Sequence, residues 1–284
     1  MGKYRKILVP FDGSVSSKNA LMQAIKLSQT EKSWIKVLAV VPSYEGELEL
    51  VGVGNIRSVL DGTGKKLLME ATATAKAQGI TILTNLEQGE AFERIVDVAD
   101  SENCDLIIMG RKGVHNLKKM LMGSVTSRVI SYANNDVLIV LGDASIGWNH
   151  ILIATDGSQY SEPAIEHAIN FASSYGGNLT AVSVVDLTDE FYAQAPEIVD
   201  KMIEKSKKVL EKVREKAEAS HIKMETVVKE GESYQKIVEV AEEKGADVIF
   251  MGSHGRTGLK KLLMGSVTGK VIGYATCPVM VVKS

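Results

Sequence analysis

Ala246-Asp-Val-Ile-Phe-Met251, Gly252-Ser-His-Gly255, nine further residues and then Gly265-Ser266, running into the apolar segment Val267 to Ala275, read as strand, glycine loop and helix start. A loop of this kind suits an anion. Glycines let the backbone approach closely and adopt positive φ. The free N–H groups and the positive end of the following helix then favour negative charge. Ser266 and Thr268 add hydroxyl donors. The pattern recurs earlier: Asp105-Leu-Ile-Ile-Met109, Gly110-Arg-Lys-Gly113, nine residues, Gly123-Ser124. With Asp105–Ala133 laid on Asp247–Ala275, roughly 18 of about 29 positions are identical, the signature of an internal repeat.

Working outward, Lys6-Ile-Leu-Val-Pro10 is a buried strand ended by Phe11-Asp12-Gly13-Ser14. Ser16 or Ser17 offers an N-cap for a helix with Ala20, Leu21, Ala24 and Ile25 on one stripe. Ile35 to Val41 is a second strand, halted at Pro42, and residues 43–64 are glycine-rich without a clean period. A long helix is expected from about Val59 to Gln78, stopped by Gly79. Thr81–Leu86 is a third strand, Ala91–Glu102 a helix, Asp105–Met109 the fourth strand, Val125–Ala133 a short helix and Val137–Leu141 the fifth strand. The second half repeats this. Its strands are His150–Ala154, Leu179–Val185, Glu225–Val228, Ala246–Met251 and Val279–Val282. Its helices are Glu162–Ser174, Glu197–Ser220, Ser233–Glu243 and Val267–Ala275, and Gly142–Asn149 reads as the linker. The lysines and glutamates of the long helix read as a solvated face with i,i+4 pairs.

Strands alternating with helices predict an α/β chain with parallel sheets covered on both faces, and near-continuous apolar strands agree. Ligands of such sheets sit beyond the carboxyl ends of the strands, where the winding reverses. Asp12 ends strand one and Gly110 ends strand four, so if those strands are neighbours the two meet at one crevice. Asp156, in Thr155-Asp156-Gly157-Ser158, repeats Asp12. Two readings stand for these aspartates: a turn or helix-cap residue, or a carboxylate touching a ribose or base donor, or a phosphate-bound Mg²⁺ or Mn²⁺. The plain reading of the glycine motif is a loop whose glycines only turn the chain. Lys118-Lys119 and Lys260-Lys261 are either phosphate partners or solvated lysines. His254 stands between two motif glycines, and His115, His150, His167 and His221 form no ligand pattern.

The chain's 284 residues suffice for two domains, and its 45% apolar and 24% charged content is that of a globular protein. A net charge of −2 makes no electrostatic case for a nucleic-acid or membrane partner. Cys104 and Cys277 occupy non-equivalent places in the repeat and read as reduced residues near the core, which points to a reducing cytoplasm. No run of about 18 apolar residues is present to cross a bilayer. Walker A, Gly-x-Gly-x-x-Gly, Gly-x-Ser-x-Gly and His-Glu-x-x-His are all missing, so the usual NTPase, dehydrogenase, serine-hydrolase and zincin readings have no anchor.

Val9-Pro-Phe-Asp-Gly-Ser14, Ile153-Ala-Thr-Asp-Gly-Ser158, both glycine motifs and Val279-Met-Val-Val282 make the chain resemble a tandem universal stress protein of the ATP-binding branch. The resemblance implies domains at 1–144 and 148–284, each a doubly wound five-stranded parallel sheet in the order 3-2-1-4-5. It implies an intramolecular pseudo-dimer of the two halves and leaves further homodimerisation open. It implies ATP, with Mg²⁺ or Mn²⁺ held mainly through the phosphates, in two pockets. The first would use Pro10, Phe11, Asp12, Val41, Gly110, Gly113, Gly123, Ser124, Val125 and Thr126. The second would use Ala154, Thr155, Asp156, Val185, Gly252, Gly255, Gly265, Ser266, Val267 and Thr268, with Val41 and Val185 flanking adenine. Copy one departs from the family pattern at Gly113-Val-His-Asn-Leu117, where copy two keeps Gly255-Arg-Thr-Gly-Leu259. With no positioned general base, arginine finger or partnered nucleophile, binding is expected rather than turnover. An interaction module with empty pockets and a slow ATPase are the alternatives.

Overall fold

A computed structural model of the chain describes residues 3–43, 56–113, 122–187, 194–255 and 264–283, and it divides into two compact units, 1–143 and 144–284. In unit one the strands are β1 (Lys6–Pro10), β2 (Trp34–Val41), β3 (Leu83–Gln88), β4 (Leu106–Gly110) and β5 (Asp136–Val140), and the helices are α1 (Val15–Glu31), α2 (Ile56–Ala77), α3 (Ala91–Ser101) and α4 (Ser124–Tyr132). Every pairing is parallel, in the order β3-β2-β1-β4-β5. Unit two has β6 (His150–Ala154), β7 (Asn178–Val185), β8 (Met224–Glu230), β9 (Val248–Gly252) and β10 (Val279–Val282), with α5 (Glu162–Tyr175), α6 (Pro196–Ala219), α7 (Ser233–Glu243) and α8 (Ser266–Tyr274). Its order, β8-β7-β6-β9-β10, is again all parallel. The expected α/β, doubly wound architecture and its 3-2-1-4-5 order hold in both units.

The central strands are apolar along their length because both faces are covered. Ile7, Leu8 and Val9 are fully buried, as are Ile151, Leu152 and Ile153. In unit one α1 lies beside α2, and α3 beside α4. The pleat shows that the pairs cover opposite faces. Val41 points at α2, where a Cβ on Gly64 would stand 3.0 Å from its Cγ1. Its neighbour Val40 points the other way, toward Ala91 and Ile95 of α3.

Several boundaries differ from expectation, each for a local reason. The cap of α1 is Ser14, not Ser16 or Ser17. Its extended backbone lets its hydroxyl accept from Ser17 N at 3.1 Å. α2 begins at Ile56, within the glycine-rich stretch, and a Cβ on its Gly64 would stand 2.3 Å from Leu86 Cδ1, so a larger residue there would have to displace that side chain. β3 starts two residues later than its apolar run because its ladder with β2 runs from Lys36↔Leu83 to Val41↔Gln88. β8, a half-exposed edge strand, likewise extends beyond Glu225–Val228 through pairing rather than hydrophobicity. On α6 the charge pairs are at i,i+3, Glu204 with Lys207 and Glu211 with Arg214, not i,i+4.

Candidate functional site

Among the described residues each unit carries a cavity at the carboxyl ends of its central strands. The topological condition posed by the sequence is met: β1 pairs with β4, and β6 with β9. Asp12 and Gly113 therefore face each other, close enough that a Cβ on Gly113 would stand 2.6 Å from Asp12 Oδ2. The corresponding distance from Gly255 to Asp156 Oδ2 is 3.0 Å. The other carboxylate oxygen shapes the chain. Asp12 Oδ1 accepts from Ser14 N at 3.0 Å, and Asp156 Oδ1 from Ser158 N at 2.9 Å. One oxygen of each aspartate thus realises the turn reading, and the other borders the cavity.

The three glycines of each motif have three different reasons. A side chain on Gly110 would meet the Ser16 backbone at 2.8 Å, and one on Gly252 the Tyr160 carbonyl oxygen at 2.3 Å, so the first glycine is demanded by packing against the segment after the first strand. The second clears the aspartate. The third, Gly123 or Gly265, is the helix N-cap and donates its N–H to Arg111 O or Ser253 O at 2.9 Å, so close that a Cβ would stand 3.4 Å from that same oxygen. The expectation of positive φ is corrected. Among the described residues, positive φ in this region belongs to Gly13 and Gly157 of the Asp-Gly-Ser turns, not to the motif glycines.

At the N-termini of α4 and α8 the N-cap is a glycine, and among the described residues no side chain caps the first turn. The first backbone N–H groups, from Ser124, Val125 and Thr126 or from Ser266, Val267 and Thr268, therefore open on the cavities. The hydroxyl expected of Thr268 as a ligand donor is committed elsewhere: it donates to Gly252 O at 3.1 Å, as Thr126 does to Gly110 O at 3.0 Å. These bonds latch the helix start to the end of the strand. Ser124 and Ser266, both exposed, line the cavities.

Of the residues the sequence assigned, Pro10, Phe11, Asp12, Gly110, Gly113, Gly123, Ser124, Val125 and Thr126 line the cavity of unit one, about 310 Å³ in volume. Ala154, Thr155, Asp156, Gly252, Gly255, Gly265, Ser266, Val267 and Thr268 line that of unit two, about 140 Å³. Val41 and Val185 do not line them. Their side chains are buried, and their carbonyls accept from Gly89 N and Gly231 N at 3.0 Å. The β2 and β7 side chains at the cavities are Leu38 with Val40, and Val182 with Val184. Strand alternation signals this, because the residue before the strand's last one faces the opposite helix layer. Sequence reasoning also missed the starts of α3 and α7, which bring Ala91 and Ile95, or Ser233 and Ile237, to the wall. An i,i+4 pair at a helix N-terminus was the available signal.

The loops between the first two motif glycines differ in charge. Lys112 lines the first cavity, and both burial and Arg111 beside it lower its pKa. Burial also lowers that of Arg111, opposed by the Asp143 carboxylate. At the matching place in unit two His254 lines the cavity, its Nδ1 2.9 Å from Ser253 Oγ. The spacer residues 114–121 and 256–263, with His115, Lys118-Lys119, Lys260-Lys261 and the departure at Val114-His-Asn-Leu117 that follows Gly113, lie outside the described residues. The two cysteines are buried thiols, pushed up to about 11 at Cys104 and about 12 at Cys277, chiefly by burial. Among the described residues no helix is long and apolar enough to cross a membrane.

The sequence matches the universal stress protein family twice, over residues 3–140 and 147–283. A universal stress protein of Methanocaldococcus jannaschii is 41% identical over 140 residues, covering 48% of this chain and 82% of its own. A universal stress protein of Mycolicibacterium smegmatis is 28% identical over 295 residues, covering 98% of this chain and 96% of its own. The crystal structure of a universal stress protein from Archaeoglobus fulgidus superposes with a TM-score of 0.74 at 24% identity, covering 99% of both chains, a likeness of fold. With both halves matched and the doubly wound order present in each, this chain belongs to the universal stress protein family.

Proposed function

We propose that each unit binds an adenine nucleotide, ATP, in the cavity at the carboxyl ends of its central strands. The observation that carries the reading is the uncapped N-terminus of α4 or α8, opening on a cavity whose far wall is the aspartate ending β1 or β6. Phosphates fit the N–H groups and the positive helix end. The flat base fits the apolar wall of Val40 and Ile95, or Val184 and Ile237. Among the described lining residues each cavity offers a single carboxylate, Asp12 or Asp156, so Mg²⁺ or Mn²⁺ would be held mainly by the phosphates. The bound ion would neutralise phosphate charge. The chain's own part is to hold and orient the nucleotide, as a regulatory binding protein rather than a catalyst. Pairing of the halves as an internal pseudo-dimer belongs to the same proposal and is supported by the duplication.

Calorimetry on the full chain tests it. The unaltered protein is expected to take up ATP, and Ser124→Leu with Ser266→Leu, which fills both cradles, is expected to abolish the heat. Unchanged binding in the double variant would refute the phosphate assignment.

A further inference from the structure

The two cavities are built on one plan but, among the described residues, do not present the same charge where phosphate would sit. In unit one, Lys112 is half-buried, lines the cavity and lies against the N-cap of α4, since a Cβ on Gly123 would stand 3.6 Å from the Lys112 Cα. In unit two, His254 holds the matching place: a Cβ on Gly265 would stand 3.5 Å from the His254 Cα. Arg111, beside Lys112, is drawn to Asp143 and is not part of the cavity wall. Lys112 therefore brings a positive charge to the wall of the first cavity, from a loop that lies against the start of α4. The second has in that place an imidazole, its Nδ1 2.9 Å from Ser253 Oγ, and not an alkylammonium.

We infer that Lys112 makes the pocket of unit one a phosphate-counting site, which prefers the triphosphate over the monophosphate of adenosine more strongly than the pocket of unit two does. This rests on the nucleotide reading above. A compact ammonium beside the amide cradle gains more from each added phosphate charge, because Coulomb attraction grows with ligand charge while the cost of desolvating the lysine stays the same. The base contacts are common to both ligands, so Lys112 alters the ratio of affinities rather than all binding alike.

The experiment measures ATP and AMP binding to the full chain by calorimetry, for the unaltered protein, Lys112→Gln, Lys112→Arg and His254→Lys. Lys112→Gln is expected to weaken ATP at one of the two sites roughly ten-fold, the scale of one charge-assisted hydrogen bond at a partly exposed position, with AMP little changed. Lys112→Arg retains the charge and should retain the preference. His254→Lys should raise the ATP-to-AMP preference of the other site. Because that variant leaves both spacers as they are, Arg256 included, any shift belongs to the one side chain. Equal losses for ATP and AMP in Lys112→Gln, or no change in either, would overturn the assignment. Failure of the unaltered protein to bind either ligand would instead sink the nucleotide reading itself.

Discussion

At Asp12 and Asp156 one carboxylate oxygen holds the turn after the first strand while the other borders the cavity, so two substitutions separate the tasks. Asp156→Asn keeps an oxygen that can accept from Ser158 N but removes the charge. It is expected to alter ATP affinity, by calorimetry, with little change in urea midpoint. Asp156→Ala removes the acceptor too and should cost about 1 kcal/mol of stability in the same urea titration. Gly252→Ala tests packing instead. Its methyl would stand 2.3 Å from the Tyr160 carbonyl oxygen, a backbone atom that cannot swing aside, and a loss of about 1–3 kcal/mol is expected. The raised thiol values at Cys104 and Cys277 predict slow alkylation by iodoacetamide near neutral pH and rapid alkylation once the chain is denatured.

Among the elements, the buried central strands and the amphipathic helices were legible because period and composition report burial directly. The edge strands β3 and β8 were less so. They carry Asn85, Glu87, Lys229 and Glu230, and a ladder set by the partner's backbone decides where they end. The cavity was legible at the motif glycines and the aspartates, where chemistry marks the chain. Lys112 was not, because which side of a loop faces the pocket depends on neighbours remote in sequence, and the i,i+4 pair Ala91 and Ile95 was a signal that went unread. One ionic tie between elements has a pH signature. Lys36 on β2 contacts Glu102, just after α3, at 2.6 Å, and its hydrogen bond, more than its charge alone, holds the Glu102 carboxyl below its ordinary value of 4.5. A depressed carboxyl contributes stability above its unfolded pKa and loses it as pH falls through the folded one. Glu102→Gln should therefore lower stability in the neutral range, where the tie contributes, and converge on the unaltered protein as pH falls below about 4.5, which flattens the acid limb, as read by thermal melts across pH.

Across the whole molecule the duplication extends beyond the motif to a clamp that the sequence pattern left unread. Asp105 Oδ2 accepts from both Arg5 N and Lys6 N at 2.8 Å. Asp247 Oδ2 accepts from Asn149 N at 2.8 Å and His150 N at 3.0 Å. Each binds the entry of its unit's first strand to the start of its fourth, and the apolar run that follows each aspartate gave no hint of this. Asp105→Ala or Asp247→Ala is expected to cost about 1–3 kcal/mol, seen as a lowered denaturation midpoint, because two donors lose their partner together. The clamp in unit one joins residues 100 positions apart. On the ribosome, the strand destined for the middle of the sheet thus emerges first and waits with one edge bare until its companion is synthesised. In a chain that later supplies a near-copy of that companion, refolding from denaturant is exposed to exchanged partners, a hazard that vectorial synthesis, finishing the first half before the second exists, removes.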